Sequence, residues 1–66
     1  EKTLGVVGVG NVGKAVLRRA RAFGMTLLGN DIVEIAPDFL LENSVESVPL
    51  RELLERSDFI SLKKES

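Results

Sequence analysis

The sequence predicts an α/β domain, half of a doubly wound fold, with about four parallel strands in the spatial order 3-2-1-4 and helices on both faces. Three observations predict it. Residues 3–8 form an unbroken apolar run ending in glycine, the pattern of a strand buried on both of its faces. Over residues 12–23 the hydrophobic period changes to that of an amphipathic helix. The strand–helix alternation then repeats twice more before a last apolar run at residues 58–62, which implies right-handed crossovers and a parallel sheet.

The first strand is Thr3-Leu4-Gly5-Val6-Val7-Gly8. In the helix that follows, Val12, Val16, Ala20 and Phe23 define the expected core face, with Ala15 and Ala22 at its edge. Lys14, Arg18 and Arg21 take the opposite face, and Arg19 falls within the apolar arc, its stem packing and its head reaching water. Gly24 is placed to end this helix in a left-handed conformation. Met25-Thr26-Leu27-Leu28-Gly29 is the second strand, closing at Asn30-Asp31. Pro37 suits the first turn of a short helix through Glu42. Residues 45–48 make a brief third strand, and Pro49 opens a helix whose apolar stripe is Leu50, Leu53 and Leu54, with Arg51, Glu52, Glu55 and Arg56 toward solvent. Asp58-Phe59-Ile60-Ser61-Leu62 is the fourth strand, and residues 63–66 are a polar tail. The first two helices should lie on one face and the third on the other, over the gap between strands 1 and 4. Much of that face and the outer edge of strand 4 should be bare.

Composition narrows the function. The 66 residues read as a single partial domain spanning residues 1–66, and a chain opening without Met suggests an excised segment. A domain of this size buries only roughly 60% of its unfolded surface, so its stability margin is thin. With 44% hydrophobic and 29% charged residues it is an ordinary globular composition. A formal charge of −1 offers no field for nucleic acid or an acidic membrane surface. No apolar run approaches the ~20 residues of a membrane span. The lack of Cys and His excludes disulfides and any thiolate or imidazole metal site, and fits a cytoplasmic protein. The usual neutral-pH proton shuttle is also missing.

One motif carries chemistry. Gly8-Val9-Gly10-Asn11-Val12-Gly13 fits G-x-G-x-x-G, and here it follows a strand and opens a helix, as a dinucleotide fingerprint must. Gly8 serves the tight turn, Gly10 the approach of a diphosphate to bare backbone, and Gly13 the close packing of helix on sheet. The helix N-terminus adds unpaired N–H groups and partial positive charge. Asp31 stands 18 residues beyond Gly13 at the end of the second strand, near the position of a carboxylate that accepts ribose hydroxyls. It would repel a 2′-phosphate, and no Arg or Lys follows until Arg51, so NAD is favoured over NADP. The candidate cofactor-binding residues are Gly8, Gly10, Asn11, Val12, Gly13, Asp31 and Ile32. No catalytic or metal-binding residue is assigned. Lys63 and Lys64 could touch phosphate but read as a solubilising tail, and the basic residues of the first helix read as a solvated face.

With those residues placed, the chain resembles the NAD-binding domain of the D-2-hydroxyacid dehydrogenases, the phosphoglycerate dehydrogenase type in particular. The resemblance rests on residues 3–13, 19–25 and 50–62 and covers nearly the whole chain. It implies a Rossmann half-domain from an oxidoreductase that moves hydride between NAD and a 2-hydroxy or 2-keto acid, 3-phosphoglycerate being one such substrate. Gly8, Gly10 and Gly13 match the family's diphosphate loop, and Asp31 its ribose-binding acid. After such a fourth strand the family usually continues with His and Pro near the adenine, whereas this chain has Lys63-Lys64-Glu65. The family's catalytic Arg, Glu and His lie further downstream. The expectation is therefore a module that holds the ADP portion of NAD without turning it over, dimerising with a second copy through the bare face or edge. The alternative is a self-assembling fold fragment with no significant cofactor binding.

Overall fold

In the computed structural model, which describes residues 2–62, the chain runs β1 (Thr3–Val7), α1 (Asn11–Ala22), β2 (Thr26–Asn30), α2 (Pro37–Asn43), β3 (Val45–Ser47), α3 (Leu50–Arg56) and β4 (Phe59–Leu62). The four strands form one sheet in the order β3-β2-β1-β4, every neighbouring pair parallel, as the alternation requires. Expected boundaries hold to within about one residue. The expected polar tail lies outside the described residues.

Alternation along the strands divides the core between the two faces. Leu4 and Val6 of β1 and Leu27 of β2 pack beneath α1 and α2 with Leu17, Ala20, Ile35, Phe39 and Val45. Leu28 faces the other way and joins Val48, Leu53 and the half-buried Val7 under α3. The first two helices thus share one face and the third takes the other. Val6, Leu17, Leu27, Leu28 and Leu53 are the most completely buried large side chains, each contributing about 1.5–3 kcal/mol on removal from water.

Two helices sit differently from their sequence patterns. The buried face of α1 is Gly13, Leu17 and Ala20, with Val16 beside it, whereas Val12 is half exposed and Phe23 is 83% exposed. The buried face is rotated by about one residue from the expected stripe and takes in Leu17. Gly13 sets the rotation: a Cβ there would stand 2.7 Å from the Gly8 carbonyl oxygen, so the helix seats at this position. Lys14 and Arg18 consequently do not form a simply solvated face. Each cation lies 5.5 Å from the centroid of the Phe39 ring of α2, covering it by cation–π attraction. Arg19 is exposed. At the end of α1, Gly24 takes a φ of 75°, as its position predicted.

α3 packs over β1 and β2, and not over the gap between β1 and β4. Gly5 makes this possible, because a Cβ on it would collide with Ser57 Oγ and Leu53. Of the expected apolar stripe only Leu53 is buried; Leu50 and Leu54 are about half exposed. The close seat leaves Ser57 Oγ buried without a hydrogen-bond partner among the described residues. Arg56 ties the helix to β3 through Glu46 at 3.1 Å, so it too is engaged by more than solvent. β4 is registered by a reciprocal pair: the Thr3 N–H donates to Asp58 Oδ2 and the Asp58 N–H to the Thr3 carbonyl, both at 2.8 Å. Among the described residues no strand pairs with the outer edge of β4, and Phe59, Ile60 and Leu62 remain 53%, 46% and 75% exposed.

Candidate functional site

The parallel sheet directs the C-terminal ends of β1 and β2 to one rim, and the two sequence signals meet there. β1 is followed by Gly8, whose φ of 88° turns the chain sharply off the strand; a side chain is strongly disfavoured in that conformation. The Gly8 N–H donates to the Asn30 carbonyl at 2.8 Å, joining the turn to the end of β2. Gly10 then caps α1 with extended backbone and no side-chain hydrogen bond, its carbonyl accepting the Lys14 N–H at 2.8 Å. The first amides of α1, on Asn11, Val12 and Gly13, have no carbonyl one turn back within the helix to receive them. The helix therefore presents its positive end at the rim with no side-chain cap and no acidic residue in its own first turn.

Asp31 closes the site from the β2 side. Its Oδ2 accepts the Val9 N–H at 2.7 Å and its Oδ1 the Val33 N–H at 3.3 Å. The carboxylate bridges the glycine loop and the segment after β2 across 22 residues of sequence. These two bonds occupy about half of the roughly four acceptor positions a carboxylate offers. Between the two walls lies an open cleft of about 550 Å³, lined by residues 7–10 and 30–33.

Of the seven predicted site residues, Gly8, Gly10, Asp31 and Ile32 line this cleft. Ile32 is entirely exposed at its rim. Asn11 and Val12 are exposed in the adjoining first turn of α1, while Gly13 is buried beneath it and acts in packing. Gly10 differs from Gly13 in kind, since a Cβ on it would meet nothing within 4 Å. Its small size is not demanded by the protein's own packing. Val9, Asn30 and Val33 also line the cleft, and spacing did not single them out. A carboxylate bonding the N–H two residues on is a local Asx turn, so Asp31 was a signal for Val33. Nothing in the sequence marked the reach to Val9. Asn30 Nδ2 donates to the Val48 carbonyl at 2.8 Å, so it holds the rim from below.

A second cleft, about 440 Å³, runs between α2 and β3 and is lined by Pro37, Leu40, Leu41, Ser44 and Val45. It carries no titratable group. Among the described residues, no three Asp or Glu side chains converge where a metal ion could be held. No helix there is long and apolar enough to cross a membrane.

Residues 1–64 match the sequence family described as the D-isomer specific 2-hydroxyacid dehydrogenase, NAD binding domain. A glyoxylate reductase of Korarchaeum cryptofilum is 54% identical over 61 residues, covering 92% of this chain and 18% of its own length. A D-3-phosphoglycerate dehydrogenase of Methanocaldococcus jannaschii is 46% identical over 63 residues, 92% of this chain and 12% of that one. Among solved structures, the apo D-lactate dehydrogenase of Escherichia coli superposes with a TM-score of 0.88 at 45% identity, over 98% of this chain and 20% of that one. The D-lactate dehydrogenase of Lactobacillus jensenii, solved with NAD+, gives 0.84 at 31% identity, over 98% and 19% respectively. The chain thus spans about a fifth or less of the length of these relatives.

Proposed function

Since the chain belongs to the NAD-binding domain family of the D-isomer specific 2-hydroxyacid dehydrogenases, we propose that its rim cleft holds the adenosine and diphosphate portion of NAD. The observation that carries this reading is the combination at one rim of open space over Gly10, an uncapped positive helix end and a carboxylate with acceptor capacity to spare. A Cβ on Gly10 would meet no protein atom within 4 Å, so nothing in the chain's own packing calls for glycine there. Gly8, Gly10 and the first amides of α1, on Asn11, Val12 and Gly13, would receive the diphosphate. The Asp31 carboxylate would accept ribose hydroxyls, and the exposed Ile32 would offer an apolar surface to the base. A 2′-phosphate would meet the Asp31 charge, which favours NAD over NADP.

When bound, NAD supplies the hydride acceptor; the chain's own residues bind and orient one end of it. Hydride exchange with a 2-hydroxy or 2-keto acid also requires a positioned nicotinamide, a substrate and a proton donor. We place those groups in other parts of a longer dehydrogenase, so this chain alone should not oxidise NADH with 2-keto acids. Enzyme-dependent loss of NADH absorbance would overturn that statement. Substrates of the glyoxylate and 3-phosphoglycerate type both belong to the acid class we assign to the parent.

Calorimetric titration with NAD and with ADP-ribose tests the binding reading. Saturable binding of both, with similar affinity, is expected, and Asp31→Ala should weaken it by about ten-fold or more, since hydrogen bonds to a charged group contribute about 1.5–3 kcal/mol. A folded sample that gives no heat at millimolar ligand would reduce the fingerprint to architecture. The exposed Phe59, Ile60 and Leu62 and the outer edge of β4, unpaired among the described residues, support a second proposal, a homodimer formed there. A monomeric mass by light scattering at micromolar concentration would refute it.

A further inference from the structure

Asn30 stands at the junction of three pieces of the rim. Its carbonyl accepts the Gly8 N–H at 2.8 Å, so its backbone supports the sharp turn of the glycine loop. Its side chain points to the opposite partner, where Nδ2 donates to the Val48 carbonyl at 2.8 Å. Val48 is also held from the other side, its N–H donating to the Gly29 carbonyl at 3.0 Å. β3 ends at Ser47 and residue 49 is Pro, which has no N–H to donate. The chain leaves the sheet there to enter α3 at Leu50, and the Asn30 carboxamide takes the Val48 carbonyl beyond the last backbone bond between β2 and this segment. This bond fixes the last residue of β2 immediately before Asp31, whose carboxylate must then reach back to the Val9 N–H at 2.7 Å.

We infer that Asn30 is a positioning residue of the nucleotide site: its side-chain amide anchors the end of β2 to the link entering α3 and so holds the Asp31 carboxylate on the glycine loop. The inference rests on the binding reading for its functional meaning, but the positioning itself is a property of the free chain. Asn30 acts through Asp31 and need not touch the ligand.

A double-mutant cycle with hydrogen exchange tests it. Asn30→Ala should weaken ADP-ribose binding roughly five-fold, the equivalent of one net hydrogen bond, and should add nothing further in an Asp31→Ala background. In the unliganded chain it should accelerate exchange of the Val9 amide several-fold while the core amides of Leu17 and Leu27 keep their protection. General loosening of the fold would instead raise all three together and give additive losses of affinity. Asn30→Leu, close in size and uncharged but lacking the N–H donor, should behave like Asn30→Ala and serves if the alanine variant does not fold. Additive losses, or unchanged Val9 exchange in a folded variant, would overturn the proposal. If the unmutated chain fails to bind ADP-ribose, the nucleotide reading falls, and Val9 exchange alone still decides whether Asn30 holds Asp31.

Discussion

Substituting alanine at Gly10 and at Gly13 should separate the two jobs of the glycine motif. At Gly13 the new Cβ would stand 2.7 Å from the Gly8 carbonyl oxygen and 3.2 Å from Val6 Cγ1. The first contact is with backbone that cannot rotate away. Overpacking of this kind costs about 1–3 kcal/mol, while replacing a helical Gly by Ala recovers up to about 1 kcal/mol. A net loss of about 1–2 kcal/mol should lower the melting temperature by roughly 5–15 °C for a domain of this size. At Gly10 the Cβ would meet nothing within 4 Å, and φ −90°, ψ −160° is open to any residue. Exchanging Gly for Ala at a helix cap costs about 0.5 kcal/mol, offset by a similar gain from a less flexible unfolded chain. Gly10→Ala should therefore melt within a few degrees of the unmutated chain. Its ADP-ribose affinity should nevertheless fall by about ten-fold or more, because the methyl group would occupy the approach to the backbone. Thermal melts by circular dichroism and calorimetric titration on both variants make the comparison. A folded Gly10→Ala with undiminished affinity would refute the assignment of the diphosphate to this loop. A Gly10→Ala as unstable as Gly13→Ala would refute the structural reasoning behind it.

Three further perturbations test the packing and the surface charges. Gly5→Ala would drive a Cβ into Ser57 Oγ and the buried Leu53, and should lower stability by about 2 kcal/mol in denaturant titration through displacement of α3. Ser44 ends α2 with a φ of 56°; Ser44→Gly removes that strain and should raise stability by about 1 kcal/mol, read as a higher melting temperature. Glu46 is held below its ordinary value of 4.5, first by hydrogen bonds from the Arg56 guanidinium and then by its charge. Its stabilising contribution is therefore present above that ordinary value and disappears as pH falls through the lowered one. Glu46→Gln should melt slightly below the unmutated chain near pH 7, with the difference vanishing in more acid solution; because the pair is exposed the effect is small.

Periodicity, glycine placement and one acid were enough to read the order of elements, the strand sequence across the sheet and the rim on which the site would lie. Those features are local or follow from the handedness of parallel crossovers, so they are written into short stretches of chain. The rotation of α1 was not legible. Val12 and Phe23 fit an apolar stripe as well as Leu17 does, and the choice was made by the contact of Gly13 with the Gly8 carbonyl. Gly5 read simply as part of an apolar strand, yet it is where α3 approaches the sheet, and that approach moves the helix over β1 and β2. At the candidate cleft, the glycines and Asp31 could be proposed from spacing because each answers to a backbone or charge requirement within its own segment. The bonds from Val9 to Asp31 and from Asn30 to Val48 join segments 22 and 18 residues apart. Such bonds depend on where two strand ends and one link come to rest in space, and residue types alone do not specify that distance.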